Sequence, residues 1–386
     1  MSRRPRRELG HGADLLSNKH IPSDLSSMPL PGNAALLSRA SRTRLGAVLA
    51  LVIGLLAATA ANAEILRVVT WPGYADRDLV QTFELKHRVR VEVSYVGTDD
   101  VLWDKLAARG GADFDVFAVN TAELQRYIDG GLAAPVDPAR IPNTARQLPR
   151  FRDVGAIAGL VRDGKVYGIP YTWSAMGLIY DRQRFASPPD SIKVLWDTGF
   201  RGQVLAFNGS SHNFSLAAQA LGLPAPFAIG ETDMPAVIDK LLALRRNVLT
   251  FYTLPEESVA LFREQRVAVM FANYGSQQVQ QLREAGINIG YVMPREGAFA
   301  WLDCWAISAG ARNRRLAEAW INHMLDHAAS RALRERQGLA NTTDEANAPA
   351  AADRIIWLQP VEDVHRRAAL WDQILSGDRR VSGRAP

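Results

Sequence analysis

Between Ile65 and Asp129 the hydrophobic period of the sequence switches repeatedly between strand-like and helix-like, and this alternation restricts the fold more than any other feature. Ile65 to Thr70 (I-L-R-V-V-T) reads as a buried strand, and Asp76 to Lys86 as a helix with Leu79, Phe83 and Leu85 apolar. Val89 to Tyr95 alternates Val89, Val91, Val93 and Tyr95 as a second strand. A helix from Asp99 to about Arg109, a strand from Phe114 to Val119 and a helix from Thr121 to Asp129 follow. This βαβαβ order predicts a parallel sheet with right-handed crossovers. Ligands bind such sheets beyond the carboxyl ends of the strands, where Trp71-Pro72-Gly73-Tyr74 and Asn120-Thr121 stand. Asn120 and Thr121 also occupy a helix start, where capping alone explains a polar pair.

Further along, Lys165 to Asp181 reads as two short strands joined through Pro170, crossing into a second lobe. That lobe is expected to hold strands at 203–207, 267–272 and 289–293 and helices at 214–221 and 234–245. The strand ending at Ala272 opens onto Asn273-Tyr274-Gly275-Ser276. Ala300 to Ile307 is strand-like, with Asp303 set among apolar residues. Helices at 314–326 and 328–337 return the chain to the first lobe, residues 341–353 read as a loop, and a last helix is expected over 362–375.

Upstream of the alternation, Arg39, Arg42 and Arg44 precede an apolar run from Leu45 to Ala61 that ends in Ala61-Asn62-Ala63. That order predicts a Sec signal peptide cleaved after Ala63, with residues 1–63 an N-terminal extension and signal peptide and the product periplasmic. The alternative is an uncleaved membrane anchor, for which the run is short and rich in alanine and glycine. Residues 1–63 carry eight Lys/Arg and three Asp/Glu, an excess equal to the whole chain's formal +5, so the remainder has 37 of each sign. The basic balance therefore gives no reason to expect nucleic acid as a partner. Cys304 is the only cysteine, which excludes an internal disulfide and cysteine-rich metal sites.

Several segments, in order, carry a family resemblance: T-W-P-G-Y at 70–74, D-F-D-V-F-A-V-N-T at 113–121, Y-G-I-P-Y-T-W at 167–173, N-Y-G-S at 273–276, P-R-E-G-A-F-A-W-L-D-C-W-A-I at 294–307 and Q-G-L-A-N-T-T at 337–343. Together they resemble the periplasmic spermidine/putrescine-binding proteins of ABC importers, within the larger extracellular solute-binding family. The resemblance implies a two-lobed α/β periplasmic-binding-protein fold, each lobe a mainly parallel sheet flanked by helices. Lobe one would be 64–169 plus 304–349 and lobe two 170–303 plus 350–386, closing by a hinge over a ligand in the cleft. It also implies a monomer that captures a small cationic ligand for an ABC importer permease, without cofactor or metal. Trp71 and Tyr74 match the family's first-loop aromatics, and Trp301 with Asp303 its wall-and-carboxylate pair. Asp303 would accept charge-assisted hydrogen bonds from an ammonium group while the tryptophans cover its alkyl stem.

Other positions depart from the family. Two acidic residues that grip amines in typical polyamine binders fall on Gly209 and His212, Asn273 stands where a stacking tryptophan is usual, and Ala122 where a tyrosine is. Asp372 replaces a polar amide near the C-terminus and would restore one negative charge to the cleft. A second or third ammonium group without a carboxylate partner is costly to bury, so a monoamine, an amino alcohol or another small cation fits better than a long polyamine. The polar run Ser210 to Asn213 at a helix start fits either an ordinary cap or an anionic group, which keeps aminophosphonates and amino acids as alternatives beside a thiamine-like cation. The same fold serving as ligand-dependent partner of a membrane sensor is a further alternative. An enzyme is not expected: Cys304 adjoins Asp303, whose charge raises a thiol pKa, and no nucleophile elbow, phosphate loop or HExxH is present. Iron is not expected either, because Tyr274 has no neighbouring tyrosine.

Overall fold

The alternating segment folds as the sequence predicts, into β1 (Ile65–Thr70), α1 (Arg77–His87), β2 (Arg90–Tyr95), α2 (Asp99–Ala107), β3 (Val116–Asn120) and α3 (Thr121–Asp129). The computed structural model describes residues 64–346 and 354–377, so the signal-peptide expectation for residues 1–63 lies outside the described residues. β1 lies between β2 and β3 and is parallel to both. α1 turns Leu79 and Phe83 inward, one turn apart, whereas Leu85 lies off that stripe and is 81% exposed. α2 starts at Thr98, whose hydroxyl accepts from the Val101 amide at 3.2 Å, and α3 at Asn120, whose Oδ1 accepts from the Glu123 amide at 2.9 Å.

The chain then runs through β4 (Ala133–Ala134) and the hairpin of β5 (Val161–Arg162) and β6 (Lys165–Val166) into β7 (Gly168–Met176). β8 (Leu178–Asp181) opens a second sheet, followed by β9 (Val204–Phe207), α4 (Ser210–Leu221), α5 (Met234–Asn247), β10 (Val248–Tyr252), α6 (Pro255–Glu264), β11 (Val269–Phe271), α7 (Ser276–Glu284) and β12 (Ile289–Val292). β13 (Ala298–Ser308) carries the chain back, and α8 (Arg314–Met324), α9 (His327–Glu335), β14 (Ala340–Asn341), β15 (Ile355–Trp357) and α10 (Val364–Ser376) complete the described structure. The first sheet has the order β14-β7-β13-β3-β1-β2, with β4 and β15 also paired to β13, and the second β10-β9-β11-β8-β12.

In each sheet the strand that brings the chain in from the other sheet runs against its main neighbours, although β13 is parallel to the short β15. β13 is antiparallel to β3 and β7, and β8 is antiparallel to β11 and β12. The expected parallel centres are present, β2-β1-β3 in one sheet and β10-β9-β11 in the other, but both sheets are mixed. By sheet membership the chain changes over between Met176 and Leu178 and again between Val292 and Ala298, rather than at 169/170 and 303/304. The reason is packing: β7 and β13 are buried along their whole length and pair from Met176–Phe299 to Gly168–Ala306, so neither can be divided between two cores. Residues 347–353 and 378–386, also assigned to lobes from the sequence, lie outside the described residues.

Candidate functional site

The carboxyl ends of the parallel strands of both sheets face one cavity. β1 delivers Trp71 and Tyr74, β2 delivers Gly97, Thr98 and Asp99, and β3 ends on Asn120. From the second sheet come Phe207 at the end of β9, His212 in the first turn of α4, Asn273 and Tyr274 after β11, and Gln277 in the first turn of α7. The middle of β13 supplies Trp301 and Asp303. The space open to the centre of a water-sized sphere is about 40 Å³. One water needs about 10–15 Å³ on that measure, so the space holds roughly three.

Asp303 lies opposite Asn120 of β3 and Thr172 of β7, where the pairing with β7 slips by a residue. It is 5% exposed, and among the described residues no Lys, Arg or His stands within ion-pairing distance of it. Its Oδ2 accepts a hydrogen bond from the Tyr74 hydroxyl at 2.7 Å. Burial raises the Asp303 carboxyl to about 8, the Tyr74 hydrogen bond works in the opposite direction, and the charge of Asp99 raises it further. Burial first, then Asp303, hold the Tyr74 phenol well above its usual value, so it stays a donor. Trp301 closes one side of the cavity and is fixed by its Nε1, which donates to the Asn273 carbonyl at 2.9 Å. The ring of Tyr74 meets that of Tyr171 edge-on at 5.4 Å.

A second acidic group adjoins the first. Asp99 opens α2, and its Oδ1 accepts from Asn120 Nδ2 at 3.2 Å. Glu123 stands 2.7 Å from Arg126, an ion pair whose angle is not that of a hydrogen bond. Burial pushes both the Asp99 and Glu123 carboxyls up, against the pull of Arg126. His212 faces them, with Nε2 3.8 Å from Asp99 Oδ2 and Nδ1 2.9 Å from Asn273 Oδ1. The Asp99 separation is too long for a hydrogen bond, and burial lowers the imidazole pKa against the upward pull of Glu123 and the Asn273 contact.

Direct contacts also join the two halves around the cavity. Ser210 Oγ donates to Asp100 Oδ2 at 3.0 Å, the Tyr274 hydroxyl reaches the Gly97 carbonyl at 3.1 Å and the Thr253 carbonyl at 2.7 Å, and Gln277 Nε2 donates to the Pro72 carbonyl at 3.2 Å. Cys304, next along β13, donates its thiol to the Val119 carbonyl at 3.2 Å, and burial followed by the charge of Asp303 pushes its pKa well up. Among the described residues, no three His, Cys, Asp or Glu side chains are grouped to hold a metal ion.

Of the positions singled out in the sequence, Trp71, Tyr74, Asn120, His212, Asn273, Trp301 and Asp303 share this one cavity. Two do not. Thr121 is buried at the first position of α3, one residue past the cap, and does not line the cavity. Asp372 is exposed on α10, whose inward stripe is Arg367, Trp371 and Ile374, so it restores no charge to the cleft. Asp99, Phe207, Tyr274 and Gln277 line the cavity without having been anticipated. The signal for Asp99 was present: Thr98-Asp99-Asp100 follows a strand end just as Trp71 does, but its polarity also fits a helix cap.

Two sheets with crossing strands and a cavity between their carboxyl edges define a two-lobed binding-protein fold. The chain belongs to the bacterial extracellular solute-binding proteins, whose family model matches residues 78–356. Among characterised relatives, the putrescine-binding periplasmic protein PotF of Escherichia coli K12 is 25% identical over 297 residues, covering 72% of this chain and 77% of that protein. The spermidine/putrescine-binding periplasmic protein 1 of Haemophilus influenzae is 26% identical over 278 residues, 69% of this chain and 72% of that one. The solved structure of a putative spermidine/putrescine ABC transporter from Listeria monocytogenes superposes with a TM-score of 0.71 at 21% identity, over 82% of this chain and 98% of that one. The binding protein MotA of A. tumefaciens B6, in complex with glucopine, gives 0.65 at 17% identity, over 80% and 99%. Both structural likenesses bear on the fold.

Proposed function

We propose that this protein is the periplasmic solute-binding component of an ABC importer and that it captures a short amine as a cation. The observation that carries this reading is Asp303: a carboxyl group buried in the cavity, held by the Tyr74 hydroxyl and without a cationic partner among the described residues. An ammonium group supplies the missing charge, and the faces of Trp71 and Trp301 cover the carbons attached to it. Asp99 adds a second negative group to the same cavity, which offsets part of the loss at Gly209 and His212. Gly209 and His212 in place of acidic residues favour a short ligand over a long polyamine. An anionic ligand group at the start of α4 is disfavoured, because Asp100 already meets Ser210 there and Asp99 stands beside His212.

The two sheets are the cores of the two lobes on this reading, and the residues on either side of the cavity meet when the lobes close over ligand. Binding without turnover is part of the same proposal: the Cys304 thiol is buried, donates to the Val119 carbonyl and has its pKa pushed well up by burial and then Asp303. The relatives named for putrescine and spermidine support an amine as the solute class. A thermal-shift screen of the purified protein against ethanolamine, butylamine, putrescine, spermidine, thiamine, 2-aminoethylphosphonate and amino acids tests it. Short amines should raise the midpoint by mass action, more than spermidine does. A rise with anionic or neutral solutes alone would contradict the reading.

A further inference from the structure

The sequence pointed to the C-terminal helix for a charge at Asp372, and α10 instead sends a different charge inward. Arg367 is fully buried. Its guanidinium pairs at two points with Glu362, Nε to Oε1 at 2.8 Å and Nη2 to Oε2 at 2.6 Å. Nη1 donates to the Ser211 carbonyl and to Ser215 Oγ, both at 2.9 Å, and the group lies 5.7 Å from the Phe214 ring centroid. Ser211, Phe214 and Ser215 all belong to the first two turns of α4, a helix whose N-cap, Gly209, has no capping side chain. One turn further along the same face of α10, Trp371 Nε1 donates to Asn208 Oδ1 at 2.9 Å.

One face of the C-terminal helix thus holds Asn208 and the first turns of α4, the segment that carries Phe207 and His212 into the cavity wall. A buried ion pair is a weak source of stability compared with apolar packing, because desolvation offsets most of its attraction. What its forked geometry supplies is position.

We propose that Arg367 is a positioning residue of the ligand site: by holding the first turns of α4 from the C-terminal helix, it sets where the His212 imidazole stands against Asp99 and Asn273. Around that imidazole, Asp99, Asp100 and Glu123 face it from the first sheet's side, Asn273 from β11's end, and Arg367 from behind. Burial foremost, with a contribution from the Arg367 charge, keeps His212 below the ordinary imidazole range, while Glu123, Asn273 and Asp100 pull the other way. The proposal concerns the wall of the cavity and holds whichever solute occupies it.

The test is to make Arg367→Met and Arg367→Lys in the whole protein. The His212 ring is titrated by NMR and putrescine affinity measured by calorimetry, at a temperature where near-ultraviolet circular dichroism matches the wild type. In Arg367→Met, His212 should titrate higher by about half a pH unit or more, and putrescine should bind at least about fivefold more weakly. Arg367→Lys should recover most of the titration but not the affinity, since one ammonium group cannot hold Glu362, Ser211 and Ser215 together. A lowered thermal midpoint with His212 titration and affinity unchanged would overturn the proposal. Should Arg367→Met fail to fold, Ser215→Ala removes one anchor and leaves the ion pair; an unchanged His212 titration and affinity there would overturn it equally. If wild-type protein does not bind putrescine, that outcome counts against the amine reading, and the His212 titration still decides this one.

Discussion

Asp303 is costly where it stands, and the cost has a sign that can be measured. Burial pushes its carboxyl up to about 8 in the folded protein, against about 4 in an unfolded chain. The folded state therefore holds a proton that the unfolded state gives up, so this group's contribution to stability is fully present below about pH 4 and is lost as the pH rises through about 8. Asp99 and Glu123 shift in the same direction. The thermal midpoint of the unliganded protein should fall between pH 5 and pH 9, and Asp303→Asn should flatten that fall and raise the midpoint at pH 9. A profile that is equally steep in the variant would show that Asp303 is not the titrating group. Binding of a cation should release a proton near pH 7, seen as a calorimetric heat that changes with the ionisation enthalpy of the buffer.

Among the elements, β13 and the start of α7 do most to shape the cavity. Gly275, just before α7, has φ +57°, and a Cβ there would sit on Ser174 Oγ and the Ala175 carbonyl of β7. The close approach lets the Ser276 amide donate to Ser174 Oγ at 3.0 Å, which fixes the helix bearing Gln277. Gly275→Ala should destabilise the protein by about 1–3 kcal/mol or more, measured by denaturant unfolding. The βαβαβ segment, β9, β13 and the later helices were legible in the sequence because their apolar periods are strong and their burial one-sided or complete. β10, α6 and α7 were not. β10 is only partly buried, and the apolar positions of α7 are spread among glutamines, two of which, Gln277 and Gln278, are buried by hydrogen bonds rather than by hydrophobicity. In the site, the aromatic loop at a strand end and the carboxylate in an apolar strand stood out by pattern, but their roles came from the family resemblance rather than from chemistry alone. Asp99 was hidden by its second role as a helix start. Arg367 rather than Asp372 turns inward because which face of α10 is buried depends on its contacts with α4, which no local pattern records.

At the scale of the whole molecule, the proposed function requires the two halves to meet around a small charged cavity. The Tyr274 hydroxyl, with the Gly97 and Thr253 carbonyls as acceptors, bridges the halves without touching Asp303. Tyr274→Phe removes that bridge, and one net hydrogen bond of about 0.5–1.5 kcal/mol corresponds to a loss of affinity of about two- to thirteenfold. Small-angle scattering should then show a larger radius of gyration for the variant at subsaturating ligand, and equal dimensions at saturation. The central claim is that Asp303 supplies the charge that a cationic solute needs, and calorimetry of wild-type protein and Asp303→Asn with the short amine that gives the largest thermal shift tests it most directly. Removing one partner of a buried charge pair costs about 3–5 kcal/mol, so the variant should bind at least about a hundredfold more weakly. Affinity retained in Asp303→Asn would contradict the account.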